Sequence, residues 1–465
     1  MDSAIALADL IVFFAQTVKR IFEAVKKYGS EYDARSLEAF VEEQMKALGA
    51  LILESAWRLR TRERATPRHL PCACGHVKHG MGKRPGNVRG ILGTMEIDER
   101  YYYYCDHCKA VEWIGDELRG SSEFTQLAEE RIALAGKDGA FAKAATLLER
   151  LGIISVAGST VRKICVRLGR KIRSLMDHQA AQQHVKDVAV EEQVERLAIG
   201  VDGTMLWRID PQHRRRRSRT TNRKVRGKGP LKHFFHEVKT LVVFSFDKAG
   251  HALRKTFSAT QARVEEFREK VTLEAQKRGS LKARTLVFLG DGAAWIWKTA
   301  AEMFPEAVQI LDWYHAVEHL WAVGRIRFGS NGKALWPWVE ARRTELWDGH
   351  VCQVIEALRE VSKHMGEPDR SLSAEERERD ARWLAYRAIG YFEENQERMD
   401  YPRYREANLP IGSGVVESSC KHVVADRLKR TGMRWDEEGA EDILALRCLD
   451  LNERWDQLFA VNQAA

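Results

Sequence analysis

Apolar positions recur at helical spacing twice in the first 66 residues. One run begins in residues 5–15 and continues through Val18, Ile21, Phe22 and Val25; the other takes in Leu37, Phe40, Val41, Met45 and Leu48. That spacing lines one stripe of a helix, so two amphipathic helices are expected, followed by a basic stretch at 58–64. Helix breakers and paired cysteines interrupt the pattern over 67–118. Helical spacing then returns over 123–178, with turns at Gly136, Gly152 and Gly158.

From about residue 196 the period changes to two. Leu197, Ile199 and Val201 alternate with Ala198 and Gly200, and the run ends at Asp202. Residues 237–246 read as a second strand, Asp247-Lys-Ala-Gly as a turn and 251–259 as the partner strand. A helix is expected over 261–278. A short strand at 285–289 ends in Gly290-Asp-Gly, a helix covers 295–304, and a strand at 308–311 ends at Asp312. Three strands, a helix, a strand, a helix and a strand make an α/β order. Residues 316 to about 400 are helical and rich in Trp, Arg and Glu. A last helix starts near Gly412-Ser-Gly and carries Glu417.

Composition changes this picture in three ways. A chain of 465 residues is too long for one small core, so several domains are expected. The formal net charge of +9 favours a polyanionic partner, since neutralising phosphates releases condensed counterions. No apolar run reaches the roughly 18 residues that span a bilayer. The first helix has no basic leader and reads as amphipathic, not as a signal peptide. A cytoplasmic protein with eight reduced cysteines is expected.

Asp202 and Asp291 both stand where a buried strand ends, and Gly200, Gly203, Gly290 and Gly292 flank them. Either Asp alone reads equally as a turn or cap residue. Glu417 alone could pair with Lys421 at i+4. As an ordered set they suit Mg2+ (or Mn2+), a hard ion that takes oxygen ligands, and phosphodiester transfer by two ions.

The blocks Val201-Asp-Gly-Thr, Phe288-Leu-Gly-Asp-Gly-Ala-Ala-Trp-Ile-Trp, Gln309-Ile-Leu-Asp-Trp-Tyr-His-Ala-Val-Glu-His-Leu and Gly412-Ser-Gly-Val-Val-Glu-Ser resemble the ISKra-type insertion-sequence transposases. The last block continues as Lys421-His-Val-Val-Ala-Asp-Arg-Leu-Lys-Arg-Thr-Gly-Met-Arg-Trp. The resemblance covers roughly residues 70–455 and is strongest from 197 on. It implies a bacterial DDE transposase with an RNase H-like catalytic core in 191–324 and 406–465, interrupted by an all-α insertion at 325–405. Preceding the core would be a helical region (1–66), a zinc-ribbon-like segment (67–118) and a helix-turn-helix region (119–190). Asp202, Asp291 and Glu417 would be the catalytic, metal-holding carboxylates. Asp312 and His315 resemble the Asp-x-x-His signature of the Mutator-like superfamily. With His319 they would stand beside the site, as DNA contacts, as core or as metal ligands, since a His pair at i,i+4 suits any of these. The Arg-rich insert at 210–233 departs from the family pattern and puts the alignment of the second strand in doubt. Glu237 on that strand is a competing carboxylate that reads as pointing away.

Cys72-Ala-Cys74 and Cys105-Asp-His-Cys108 lie about 30 residues apart. In a reduced compartment such pairs suit a structural Zn2+ held by four thiolates, with unligated cysteines as the alternative. The Cys-x-Cys pair is tighter than the usual knuckle, so His76, His79 or His107 could replace one ligand. Cys165, Cys352, Cys420 and Cys448 stand alone and read as buried apolar fillers.

Residues 141–151 and 160–172 flank a turn and form a candidate helix-turn-helix, or else a plain helical hairpin. The second helix carries Arg162, Lys163, Arg167, Arg170 and Lys171, as a helix entering the major groove would. Arg214, Arg215, Arg216 and Arg217 open a dense basic loop fit to grip phosphates. Lys421, Lys429, Arg430 and Arg434 extend the basic set beside Glu417. The partner expected is double-stranded DNA, both transposon terminal repeats and target, with a homo-oligomer assembled on it at the nucleoid. A catalytically silent DNA-binding regulator and an RNase H-like nuclease are the alternative functions.

Overall fold

The computed structural model describes residues 2–28, 33–62, 66–98, 100–120, 122–182, 188–209, 233–412 and 414–460. They form a mixed α/β protein whose chain divides into two compact units, Met1–Cys165 and Val166–Ala465. The basic loop with Arg214, Arg215, Arg216 and Arg217 lies outside the described residues, as does Ser413. No helix among the described residues is long and apolar enough to cross a membrane.

The first unit opens with the two expected helices, α1 (Asp2–Tyr28) and α2 (Ala34–Arg62). Six short strands follow: β1 (His69–Pro71), β2 (Val77–Lys83), β3 (Gly86–Arg89), β4 (Thr94–Ile97), β5 (Tyr101–Tyr104) and β6 (Val111–Ile114). They make an antiparallel sheet in the order β1-β2-β5-β6 and a separate β3–β4 hairpin. Alternation on the hairpin buries Val88, Met95 and Ile97 against Ala50, Leu53 and Trp57 of α2. Then come α3 (Gln126–Asp138), α4 (Phe141–Arg150) and α5 (Gly158–Gln182). Thr125 caps α3 by accepting the Ala128 N–H. The boundary between the units falls inside α5, so the segment expected at 119–190 is shared between them.

The second unit is built on β7 (Arg196–Ile209), β8 (His233–Phe246), β9 (Ala252–Thr260), β10 (Thr285–Gly290) and β11 (Val308–Leu311). Their spatial order is β11-β10-β7-β8-β9. β10 runs parallel to β7 and β11, while β7, β8 and β9 form an antiparallel meander. The β7–β8 register is unbroken from Leu197↔Ser245 to Ile209↔His233. The second strand is therefore longer than its apolar stretch.

The helices α6 (Val264–Lys277) and α7 (Ala294–Met303) alternate with the strands as the hydrophobic periodicity requires. A helical run follows β11: α8 (Trp313–Phe328), α9 (Leu335–Trp347), α10 (Val351–Met365), α11 (Ala374–Arg379), α12 (Ala381–Asn395) and α13 (Tyr401–Glu406). The chain closes with α14 (Gly414–Ser419), a π-helical segment Cys420–Ala425, α15 (Asp426–Leu428), the almost wholly buried α16 (Glu437–Leu451) and α17 (Gln457–Ala460).

Candidate functional site

Strand register brings three carboxylates level. β10 pairs with β7 at Leu289↔Gly200, and two residues further on Asp291 comes level with Asp202. β11 pairs with β10 at Gly290↔Leu311, which carries Asp312 to the side of Asp291. The Asp312 N–H continues that ladder by donating to the Gly290 carbonyl at 2.9 Å. Side chains alternate along strands, so all three carboxylates share one face of neighbouring strands about 4.8 Å apart; Asp291 and Asp312 follow the ends of β10 and β11, whereas Asp202, expected where its strand ends, lies within β7, which runs on to Ile209 as the partner of β8. Ligands of open α/β sheets bind at the carboxyl ends of strands.

Each carboxylate is held locally. Asp202 is 9% exposed; its Oδ1 accepts the Gly203 N–H at 2.6 Å and its Oδ2 the Cys420 thiol at 3.1 Å. Burial pushes Asp202 above the usual carboxylate range, the two hydrogen bonds and the charge on His315 work against this, and the Asp291 charge adds to it. Asp291 Oδ1 accepts the Ala293 N–H at 2.8 Å. Asp312 caps α8 by accepting the Tyr314 and His315 N–H groups at 2.8 and 3.1 Å, while its buried Oδ2 has no hydrogen-bond partner among the described residues.

The two histidines play different parts. His315 Nδ1 lies 3.3 Å from Asp312 Oδ1. Asp312 chiefly, with the charges of Asp202 and Asp291, outweighs burial and raises His315 to about 9, so one imidazolium sits among three carboxylates. His319 stacks on Tyr391 of α12 with centroids 3.9 Å apart, and burial and the His315 charge push it down. Neither belongs to a metal-competent group among the described residues. The Tyr391 hydroxyl donates to the Asp291 carbonyl at 2.9 Å. Gly292 permits this contact: its φ of +103° suits glycine, and a Cβ there would stand 2.4 Å from Tyr391 Cε2.

Glu417 departs from expectation. Its helix is pinned beside Asp202 twice. Val416 fills the notch over Gly200, where a Cβ would come within 2.3 Å of Val416 Cγ2, and Cys420 reaches Asp202. Yet Glu417 is exposed and has no ion-pair or hydrogen-bond partner among the described residues, Lys421 included. Among those residues only cysteine and histidine groups bring three ligand atoms within 4.8 Å of one another, so Asp202, Asp291 and Glu417 do not close around one point. The three carboxylates are hard oxygen donors. Glu237 shares the opposite face with Gly203 and Lys239 and lies 3.3 Å from the Lys239 ammonium.

Two contacts were missing from the sequence reading. Tyr391 had no motif to mark it. Cys420, expected as an apolar filler, is a polar contact of Asp202, and Cys352 is exposed instead of buried. Cys165 and Cys448 are buried as expected.

The expected basic face of α5 is only partly free. Lys163 is exposed, Arg162 and Arg167 are half-buried. Arg170 donates to Glu438 at 2.9 Å and Lys171 to the Leu458 carbonyl at 3.0 Å. These two are turned toward α16 and α17 because Gly169 lets α5 approach the Asp442 backbone closely. Beside α14, Lys421, Arg430 and Arg434 are exposed, and Lys429 reaches the Thr204 hydroxyl, two residues beyond Asp202.

In the first unit the β1–β2 and β5–β6 turns face each other at one end of the sheet and present Cys72, Cys74, Cys105 and Cys108. Gly75, with φ +83°, closes the first turn and Lys109, with φ +61°, the second. The Sγ atoms of Cys72 and Cys108 are 3.4 Å apart, as are those of Cys72 and Cys74, and Cys74 lies 3.6 Å from Cys105. Tetrahedral Zn–S bonds of about 2.3 Å separate sulfurs by roughly 3.8 Å, so this donor set fits zinc. The Cys108 backbone N–H, against burial and with help from that of His107, brings Cys105 down to about 6, while burial and the neighbouring cysteines push Cys74 up to about 12, so that without a cation the four sulfurs do not all ionise together. His76 Nδ1, 3.6 Å from Cys74 Sγ, belongs with His107 to a second possible group. His79 is outside both groups and meets the ring of His69 instead.

Compared with known proteins, the chain matches no family model, and no curated protein is significantly similar to it in sequence.

Proposed function

We propose that this protein is a DDE transposase with an RNase H-like core, which cuts transposon ends and joins the freed 3′ hydroxyl to target DNA. One observation carries the reading: carboxylates 89 residues apart in the chain, Asp202 and Asp291, stand level on adjacent strands with a glutamate-bearing helix pinned against them. Asp202 lies on the first strand of the sheet, Asp291 follows the fourth and Asp312 the fifth. Glu417 lies on the helix after a helical insertion. This order of elements supports the reading.

Asp202, Asp291 and Glu417 would hold Mg2+ or Mn2+, which would activate the attacking hydroxyl and stabilise the leaving oxygen. A single ion shared by all three would need their oxygens within about 4.2 Å. Two ions about 3.5–4 Å apart relax that demand, since different carboxylates can serve different ions. The protein's own part is positioning. Gly203 and Cys420 orient Asp202, Ala293 orients Asp291, and Tyr391 ties the insertion to the Asp291 backbone. His315 supplies positive charge that offsets repulsion within the row. Lys421, Arg430 and Arg434 offer phosphate contacts next to Glu417. Exposed Ile11, Val12, Phe14 and Phe22 leave an apolar face on α1 that supports pairing of copies on DNA. The cysteine cluster would hold a structural Zn2+ in the DNA-binding part of the chain.

The test is to incubate purified protein, a duplex from the borders of its own reading frame and a supercoiled target with Mn2+. Joined products are expected. Cut but unjoined products would make the protein a nuclease, and binding without cutting would make it a regulator.

A further inference from the structure

The contact between Cys420 and Asp202 belongs to a larger buried arrangement. Thr240 stands directly across from Asp202 in the β7–β8 register and is wholly buried. Its single hydroxyl proton is shared between the Asp202 carbonyl at 3.3 Å and Cys420 Sγ, which accepts it at the shorter distance of 3.0 Å. The neighbouring Ser419 hydroxyl is 3.4 Å from Thr240 Oγ1 and donates to the Val416 carbonyl at 2.6 Å. Cys420 also begins the π-helical segment that follows α14. A π-turn changes the helical phase, and such turns recur at functional sites. Here it sits immediately after the turn of helix that carries Glu417. Glu417 and Cys420 are three residues apart, hence neighbours on one helix face.

Each Asp202 oxygen is thus engaged, one by its own strand and one by the helix of Glu417. An ionised carboxylate only accepts hydrogen bonds, so the thiol is the donor. A thiol is a weak donor, which a stronger partner of the carboxylate can displace. We infer that Cys420 is a positioning residue: through Asp202 on one side and Thr240 on the other, it clamps the Glu417 helix in register with the strand that carries Asp202. The clamp itself stands on these contacts; its role in phosphodiester transfer rests on the proposed function. While bound to Asp202 it holds the two carboxylate-bearing elements together, and release of the thiol frees Asp202 Oδ2.

Hydrogen exchange on the full-length protein without metal or DNA tests the clamp. Cys420→Ala should speed exchange across residues 414–425 by about ten-fold, since a hydrogen bond to a charged group is lost. Cys420→Ser, which keeps a donor, should recover most of the protection, and Thr240→Val should fall between. Exchange in α6 reports whether each variant is folded. Wild-type exchange in Cys420→Ala, or equal acceleration in Cys420→Ala and Cys420→Ser, would overturn the clamp, the latter by showing that the loss is one of fit. Should Cys420→Ala not fold, wild-type exchange in Thr240→Val would overturn it. Mn2+ titration calorimetry of the same proteins separates the two claims. A wild-type protein that neither binds Mn2+ nor cuts DNA would sink the proposed function, and the exchange comparison would still decide the clamp.

Discussion

Replacing Gly200 by alanine should disable the site without touching any carboxylate. Gly200 lies two residues before Asp202 on the same face of β7, and its missing side chain is the space that Val416 occupies. A Cβ at position 200 would stand 2.3 Å from Val416 Cγ2 and 3.1 Å from Val242 Cγ1, both β-branched side chains in a buried interface. Ordinary contact begins at 3.4 Å. The helix must therefore back away by about 1 Å or the strand must bend. Overpacking of this kind costs about 1–3 kcal/mol. A misplacement of about 1 Å can cost on the order of 100-fold in rate. Gly200→Ala should lower the denaturation midpoint and cut turnover about 100-fold while duplex affinity stays within about two-fold. Val416→Ala in the same chain should restore both, giving a coupling energy of about 1 kcal/mol or more in a double-mutant cycle. Denaturant unfolding and single-turnover cleavage measure these. Additive effects of the two substitutions would refute the reasoning, because they would mean that the helix does not rest on Gly200.

Further outcomes follow from the same contacts. Purified protein should carry about one zinc per chain by elemental analysis, and Cys105→Ser should lose it and lower the melting temperature; metal-free wild-type protein would reject the site. In metal-free protein His315 stabilises the fold while charged. Its value of about 9 lies above its ordinary 6.5, so the contribution is complete below about pH 6.5 and is lost as pH rises through 9. The stability gap between wild type and His315→Gln should therefore shrink between pH 7 and 10, and a constant gap would contradict the assignment. Asp442 is wholly buried and its Oδ1 accepts from Arg173 at 3.0 Å. Arg173→Met should then destabilise by about 1–3 kcal/mol in urea, since it leaves the buried carboxylate only Arg170, at 3.9 Å, as a cationic partner, whereas exposed Lys163→Glu should weaken DNA binding and leave stability unchanged.

What the sequence reveals here follows from how local each signal is. The alternation from Leu197 to Val201 and the short apolar runs before Asp291 and Asp312 depend only on neighbours, so these strands could be read directly, and so could the ends before Asp291 and Asp312; β7 instead runs past Asp202 to Ile209, because pairing with β8 carries it beyond its apolar stretch. The levels of those three residues across the sheet follow once the strands pair in parallel. The β7–β8 pairing was obscured, because Phe234 and Phe235 are exposed and the basic insert hides the turn. Nothing in periodicity marks Tyr391, which meets Asp291 only because α12 folds back from 100 residues away. Cys420 read as a small hydrophobe, which its composition and burial support; its polar role exists only through Thr240 and Asp202, each about 200 residues distant. The inward turn of Arg170 and Lys171 was likewise invisible, since their partners lie in the last part of the chain. Glu417 could be located on its helix but not oriented, because Val416 and Cys420, which seat that helix, meet partners about 200 residues away in the chain.

The most direct measurement compares single-turnover cleavage of a border duplex in Mn2+ by the wild type and by Asp202→Asn, Asp291→Asn and Glu417→Gln. Each substitution should lower the rate at least about 1,000-fold, with duplex binding and melting temperature unchanged. A Glu417→Gln protein that cuts at the wild-type rate would contradict the account, since the exposed carboxylate would then take no part in the chemistry.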